Sequence, residues 1–167
     1  MNKFPTATFL IFILLFVGSG LAQQTAPQAP KLPFVIKRST EVSEIQQKLA
    51  TAASNGTFDL VPEKGSQTRI AIFFDFKREG DRFEVHEDSD DIYYVLSGQA
   101  ELELGGQLIE PAEISPGEWR SPNAKGTSKF TIQKGDLIFV PRGTVHRRTV
   151  TEKGFTMVLI KIFARER

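Results

Sequence analysis

The stretch that decides the fold reads GDLIFVPRGTVH and runs from Gly135 to His146. A Gly-Asp turn opens it, and the apolar run Leu137 to Val140 has the composition of a short strand. Pro141 and Gly143 then turn the chain back, so that His146 lies on the following strand. Short apolar or alternating segments separated by glycine turns fill most of the rest of the chain. This pattern predicts an all-β sandwich or barrel, and strand counting alone does not choose between the two.

One helix is predicted ahead of the strands, over about residues 40–55. Ser39 or Thr40 can cap its start, and Asn55-Gly56 is a typical end. Its apolar residues recur at helical spacing and form one face, so we expect it to pack against the outside of the strands. Those apolar positions are Val42, Ile45, Leu49 and Ala52.

The chain begins with the pattern of a secretory signal peptide, predicted to cover residues 1–22. Lys3 is its basic residue, Phe9 to Val17 is its apolar run, and small residues precede a cleavage site after Ala22. The apolar run is shorter than the ~20 residues of a membrane-spanning helix, which favours cleavage over a retained anchor. Residues 23–35 follow as a Pro/Gln-rich linker. We therefore expect a secreted or periplasmic protein with no membrane attachment after cleavage.

The charge balance of the chain argues against nucleic acid as a partner. The whole sequence has 21 basic and 20 acidic residues and no cysteine. Removal of residues 1–22, which hold one basic residue and no acid, leaves 20 residues of each sign. Binding to a phosphate backbone needs a basic surplus or patch. Because there is no cysteine, stability must come from an apolar core and, where one binds, a metal ion.

A second stretch carries chemistry and reads GDRFEVHEDSDDIYYVLSG, from Gly80 to Gly98. Because strand side chains alternate between faces, Glu84, His86 and Asp88 share a face if the strand continues that far. Asp91 starts the next strand nearby. Imidazole and carboxylate groups together suit a divalent first-row metal ion such as Mn, Fe, Zn, Ni or Cu. The open alternative is that both histidines are hydrogen-bonded core residues beside a solvated acidic turn.

Both stretches resemble the paired motifs of the cupin superfamily. The second motif of that family reads G-x5-P-x-G-x2-H-x3-N. The residues that match it position by position are Gly135, Pro141, Gly143 and His146, with Val150 where Asn is usual. The resemblance covers about residues 67–163.

The first motif of the family, G-x5-H-x-H-x3or4-E-x6-G, is matched less closely. In one register Asp88 replaces the second His, and the residues that fit the remaining positions are Gly80, His86, Asp91 and Gly98. In another register His86 is the second ligand and Glu84 is the first. Either register keeps His86, Asp91 and His146 as implied metal ligands and leaves Glu84 and Asp88 as alternatives.

The resemblance implies the fold and the domain organisation. A cupin is an all-β double-stranded β-helix, or jelly-roll barrel, which here would follow one N-terminal helix. Residues 36–167 would form this single domain. Cupins are often dimers, so a homodimer is a further expectation.

Three other residues are predicted to bind substrate. Arg148 lies on the same strand face as His146, where it can clamp a carboxylate or, alternatively, pair at the rim with the acidic run. Tyr93 shares the Asp91 face and either lines a pocket or belongs to the core. Trp119 lies in Glu110 to Ser128, a segment rich in Pro and Gly. We expect a long irregular loop there, either a lid or a surface excursion with Trp119 against the barrel wall.

Two functions remain open at this point. One is a metal-dependent enzyme that acts on a small organic acid or oxygenated compound; dioxygenase, decarboxylase and isomerase chemistries all occur in the superfamily. The other is a non-catalytic cupin that binds a small molecule with or without a metal. No catalytic residue is assigned, because a fold does not choose a reaction.

Overall fold

The computed structural model describes residues 32–152 and 154–167. The predicted signal peptide and residues 23–31 of the predicted linker lie outside this range. Leu32 to Ile36, which complete the linker and lead into the domain, have exposed side chains. Among the described residues, no helix has the length and apolar character that a membrane crossing requires.

One helix and thirteen strands make up this part of the chain. Helix α1 covers Ser39–Thr51. The strands are β1 Gly56–Val61, β2 Thr68–Asp75, β3 Phe83–His86, β4 Ser89–Ser97, β5 Gln99–Leu104, β6 Gln107–Ile109, β7 Ala112–Ser115, β8 Glu118–Ser121, β9 Asn123–Lys125, β10 Ser128–Gln133, β11 Leu137–Val140, β12 His146–Thr149 and β13 Phe155–Phe163.

Two antiparallel sheets form the barrel. The five-stranded sheet has the order β1-β2-β13-β4-β11, and the six-stranded sheet has the order β10-β5-β12-β3-β8-β7. Strands β6 and β9 pair separately. Strands β2 to β5 lie alternately in the five-stranded and the six-stranded sheet, and such alternation is typical of a jelly roll. The predicted all-β double-stranded β-helix with one N-terminal helix is therefore confirmed.

The core lies between the inner faces of the two sheets. Its fully buried side chains come from both sheets and include Val95, Leu102 and Met157. Buried apolar side chains of this size contribute roughly 1.5–3 kcal/mol each. The core therefore supplies the stability that cysteine cannot.

Helix α1 packs on β1 and β2, as its apolar face predicts. It begins at Ser39, so Arg38 is the residue ahead of the first turn and the predicted cap at Ser39 or Thr40 is wrong. Glu41 instead accepts a hydrogen bond from the Arg38 N–H at 3.0 Å, an arrangement that satisfies a donor left over at a helix start. The helix ends before Asn55, whose side chain accepts the Phe76 N–H at 2.8 Å.

The segment from Glu110 to Ser128 is not the long irregular loop that its composition predicts. It contains β7, β8 and β9, and β8 pairs with β3 along its whole length. The Pro and Gly residues occupy turns between strands of only three or four residues. Strands this short give too few alternating positions to be recognised from the sequence.

Candidate metal centre

Strands β3 and β12 are neighbours in the six-stranded sheet, and this pairing brings the two histidines together. His146 lies opposite Glu84 in the β3–β12 ladder. Side-chain alternation places His86 on the same inner face as Glu84. The centroids of the two imidazole rings lie 5.1 Å apart. The stretch from Gly80 to Gly98 therefore supplies β3, the stretch that ends at His146 leads into β12, and the pairing of these two strands creates the site.

Glu84, His86 and His146 form a group that can hold a metal ion. Their ligand atoms all lie within 4.8 Å of one another. His146 Nε2 is 3.3 Å from Glu84 Oε1. Both imidazoles are buried, so water does not readily take the place of a ligand there.

In each imidazole ring, the contact made by Nδ1 leaves Nε2 to face the group of Glu84, His86 and His146. His86 Nδ1 lies 2.5 Å from Glu118 Oε2, and His146 Nδ1 lies 2.9 Å from the Thr144 carbonyl oxygen. Both oxygens accept hydrogen bonds, so each Nδ1 is assigned the proton and donates it. In the neutral rings, each Nε2 then presents a lone pair to the cluster.

The His146 Nε2 atom is the clearest sign that the group fits a cation. It is buried and has no hydrogen-bond partner among residues 32–152 and 154–167. Its nearest charged neighbours are the carboxylates of Glu84, at 3.3 Å, and Asp91, at 3.9 Å. A lone pair that faces two carboxylates is unfavourable unless a proton or a metal ion lies between them.

The electrostatics of Glu84 are set by its neighbours. Burial acts to raise the pKa of Glu84. With both imidazoles protonated, the hydrogen bond from His146 and the charges of His146, Arg120 and His86 outweigh burial and hold the pKa well below its usual range. Arg120 Nη2 lies 2.7 Å from Glu84 Oε2. Glu84 is therefore an anion in the folded protein, as a metal ligand must be.

Asp91 also faces both imidazoles but has a cation of its own. Its Oδ2 atom lies 3.6 Å from His86 Nε2. Its Oδ1 atom lies 2.7 Å from the Lys161 ammonium, and the Tyr93 hydroxyl donates to Oδ2 at 3.2 Å. Asp91, which the motif implies as a ligand, thus borders the group of Glu84, His86 and His146, and its negative charge is already paired with Lys161.

The structure places Asp88 apart from this group. Strand β3 ends at His86, so Asp88 lies in the turn rather than on the inner face. Its Oδ2 atom is 3.2 Å from Arg165 Nη2. Of the two registers that the motif allows, the arrangement observed is the one that uses Glu84.

A cavity of about 190 Å³ adjoins the centre. Glu84, His86 and Asp91 contribute to its wall, whereas His146 does not line it. Its remaining lining is a mixture of cationic, aromatic and apolar side chains, namely Arg69, Phe73, Arg78, Tyr93, Arg120, Arg148, Met157, Leu159 and Lys161.

Two of the predicted substrate-binding residues line this cavity. Arg148 is buried, and its Nε–H donates to Asp75 Oδ2 at 2.8 Å, so the alternative of a rim cation that pairs with the acidic run is wrong. Tyr93 is buried as well. Burial and the charge of Asp91 raise the pKa of its hydroxyl well above the ordinary value, and the group stays protonated.

Trp119 does not line the cavity. Its neighbours on β8, Glu118 and Arg120, both contact the metal group. Alternation along the strand therefore places the indole on the opposite face of the sheet. The half-buried Trp119 covers the outer side of β8 rather than the site.

Three residues of the centre were missed by sequence reasoning: Glu118, Arg120 and Lys161. The first two lie in the segment interpreted as a loop, where the alternation of Glu118, Trp119 and Arg120 was the available signal. Lys161 is a single charge at an inward position of the apolar strand β13. A cation at such a position needs a buried partner, so the charge of Lys161 within this apolar strand also indicated a buried anionic site.

Comparison with known proteins supports the fold. No family model and no curated protein matches the chain. The structure resembles BH2720 from Bacillus halodurans (TM-score 0.51, 16% identity), with 82% of this chain and 86% of that chain covered. It also resembles DMSP lyase DddQ from Ruegeria pomeroyi DSS-3 (TM-score 0.49, 18% identity, 68% of this chain covered), of which it spans 49%. A third is a cupin superfamily protein from Desulfitobacterium hafniense DCB-2 (TM-score 0.43, 16% identity, 66% and 80% covered).

The two-sheet architecture defines the class of fold. The described part of the chain has the double-stranded β-helix fold that is found in cupin proteins. A Glu/His/His group that can hold a metal lies inside that barrel.

Proposed function

We propose that this protein is an exported cupin that holds one divalent first-row metal ion through Glu84, His86 and His146. One observation carries the proposal: the buried His146 Nε2 atom has no hydrogen-bond partner among the described residues and points toward anionic oxygens. Two imidazole nitrogens and a carboxylate suit Mn, Fe, Zn, Ni or Cu. Asp91 would supply a further oxygen ligand if the metal ion replaced Lys161 as the partner of its carboxylate.

The proposed substrate is a small organic acid or oxygenated compound. The cavity of about 190 Å³ is smaller than the ~300 Å³ at which ligand pockets usually begin. Arg148 and Tyr93 border it with a guanidinium and a protonated hydroxyl, which suit a carboxylate or a carbonyl oxygen. A bound metal would supply Lewis acidity or activation of oxygen. The chain's own part is to bind and orient the small molecule within this polar wall.

A second candidate is a cupin that binds a small molecule without metal. Its supporting observation is that cations of the protein already neutralise the acidic groups of the centre. Lys161 pairs with Asp91 at 2.7 Å, and Arg120 pairs with Glu84 at 2.7 Å. In this case the site is a closed network of ion pairs, and the ligand would bind to its arginines.

Metal analysis of protein purified without a chelator separates the two candidates. We expect about one metal ion per chain in the wild type, and little in Glu84→Gln or His146→Gln. Asp88→Asn is the matched control, since Asp88 pairs with Arg165 outside the group, and it should keep the metal. Equal trace metal in all four proteins would contradict the metal proposal and favour the second candidate.

The small-molecule proposal has its own measurement. Thermal shifts with oxalate, malonate or succinate should exceed those with the corresponding diamides, because a carboxylate pairs with a guanidinium and an amide does not. Arg148→Met should remove the difference. Equal shifts for acids and diamides would contradict a carboxylate-binding site.

The proposed export has a direct test at the chain's amino terminus. Expression of the full sequence in a bacterial host with a periplasm should yield a soluble protein that begins at Gln23, as sequencing of the first residues would show. A protein that retains Met1 would contradict cleavage after Ala22.

A further inference from the structure

Two arginines of the cavity lining hold their partner acids by one edge only. The Arg69 Nε–H donates to Asp59 Oδ1 at 2.8 Å, just as the Arg148 Nε–H donates to Asp75 Oδ2. Among the residues that the structure describes, neither guanidinium makes a hydrogen bond through its Nη atoms. These Nη atoms are not walled off by protein either, so they are accessible from the cavity and its mouth.

The other cations of the lining differ, because acids of the protein already occupy them. Lys161 Nζ lies 2.7 Å from Asp91 Oδ1, and Arg120 Nη2 lies 2.7 Å from Glu84 Oε2. Arg78 pairs with two acids that lie outside the lining. The first two pairs also neutralise the carboxylates of the cavity wall, which would otherwise repel an anion. An anionic ligand therefore has the two open guanidiniums as its partners.

These two guanidiniums approach the cavity from opposite ends of strand β2. Arg69 lies near the start of the strand, and Asp75, which holds Arg148, is its last residue. The inner-face residues between the two ends are apolar, namely Ala71 and Phe73 on β2, with Leu159 and Met157 opposite them on β13. The cavity thus has a cationic group at each end and an apolar wall between them.

Aromatic rings help to fix the orientation of both guanidiniums. Arg69 Cζ lies 5.5 Å from the centre of the Phe73 ring, and Arg148 Cζ lies 5.9 Å from the centre of the Tyr93 ring. A guanidinium that is held at Nε and packed on a ring keeps its two Nη groups in a fixed fork. That fork matches the two oxygens of a carboxylate. Each arginine is therefore a preformed site for one carboxylate.

We propose that the cavity binds a linear dicarboxylate, with one carboxylate at Arg148, the second at Arg69 and the methylene chain along the apolar wall. This proposal rests on the small-acid function proposed above, narrows it to one substrate class and applies with or without a bound metal. The volume of about 190 Å³ suits an unbranched chain and excludes a bulky ligand. Oxalate is too short to reach both ends, so it should bind more weakly than succinate, glutarate or adipate.

Calorimetric titration of the purified protein tests the second contact. The ligands are the tightest-binding of succinate, glutarate and adipate and the half-amide of that same acid, which has equal length and one negative charge fewer. We expect the diacid to bind about 10-fold or more tightly, because the half-amide lacks one charge-assisted pair of hydrogen bonds. Arg69→Met should lower the affinity for the diacid to that for the half-amide and leave the half-amide nearly unchanged.

The variant is expected to fold, because the ion pair of Arg69 with Asp59 is partly exposed, and circular dichroism checks this. Arg142→Met is the matched control: it removes a guanidinium that pairs with Asp90 and does not line the cavity, so it should keep the preference for the diacid.

Two results would overturn the second contact and leave the single-carboxylate site of the proposed function standing. One is equal affinity of the wild type for the diacid and its half-amide. The other is a preference for the diacid that persists in Arg69→Met. If none of these acids binds, the small-acid function and the dicarboxylate proposal both fail.

Discussion

The contacts at the two Nδ1 atoms govern the metal group at the scale of single residues. Glu118 and the Thr144 carbonyl each accept a hydrogen bond from the Nδ1–H of one imidazole, and both Nε2 lone pairs then face the carboxylates of Glu84 and Asp91. Burial acts to raise the pKa of Glu118, but the interaction with His86 outweighs it and lowers the pKa. Glu118 is therefore a positioning residue for His86.

Glu118→Gln should weaken metal binding without removing a ligand. The amide no longer holds the Nδ1 proton as firmly, so His86 turns or changes tautomer, and the expected loss is about 10–100-fold in affinity. Calorimetric titration with Zn²⁺ measures the affinity, and nitrogen chemical shifts of His86 report the tautomer. Glu87→Gln, at an exposed turn position, is the control. Unchanged affinity and shifts in Glu118→Gln would refute the positioning role.

The buried ion pair of Asp75 and Arg148 is costly to break. Both side chains are buried, and they meet at 2.8 Å. Asp75→Asn leaves the Arg148 charge buried without its partner, so we expect a loss of about 3–5 kcal/mol in the free energy of unfolding. Urea denaturation measures this loss. Glu101→Gln, which breaks the exposed pair with Lys129, should change little; equal effects of the two variants would argue against the buried pair's importance.

Among the elements, the turn between β5 and β6 shows how closely two turns approach. Gly105 and Gly106 both have positive φ, at 81° and 75°. A Cβ at Gly106 would lie 2.1 Å from the Lys125 carbonyl oxygen, whereas a Cβ at Gly105 meets nothing within 4 Å. The two glycines thus share a backbone conformation but differ in the room that each leaves for a Cβ atom.

Alanine substitutions at these two positions should therefore differ in cost. Gly105→Ala pays only for the left-handed conformation, roughly 1–2 kcal/mol. Gly106→Ala adds a clash with backbone that has little freedom to move, so its melting temperature should fall clearly further. Calorimetry of the pair measures the difference. Equal melting temperatures would show that the turn of Lys125 moves aside.

The elements also show what the sequence predicts and where it fails. Strand Leu137–Val140 is found with the bounds that its apolar run predicts. The choice between Glu84 and Asp88 depends on where β3 ends, and that point is set by pairing with β8 as far as the His86–Glu118 position. Strand β8 lies in a segment rich in Pro and Gly that the sequence does not identify as a strand. For this reason the sequence alone predicts neither which register of the first motif is used nor the role of Glu118.

For the molecule as a whole, the apolar core and the metal group contribute to stability separately. The core cluster lies between the two sheets and contains no metal ligand. The fold should therefore survive without metal, and metal should add stability by mass action, about 2.7 kcal/mol at a concentration 100 times the dissociation constant.

Metal removal is the corresponding whole-molecule prediction. EDTA should lower the melting temperature of the wild type by several degrees while the circular dichroism spectrum stays that of a β protein. Excess Zn²⁺ should restore it, and His146→Gln should respond to neither treatment. A melting temperature that is the same with and without EDTA, in protein shown to contain metal, would contradict this coupling.

The pairing of β3 with β12 also bears on when the centre forms. Its histidines stand at positions 86 and 146, so the ligands meet only after a long loop has closed and the β12 strand has been inserted beside β3. Such non-local pairing comes late and slowly in folding. A ribosome-bound fragment that stops before β12 has no complete site, so under the proposed function the ion would be drawn from the compartment in which the finished chain folds.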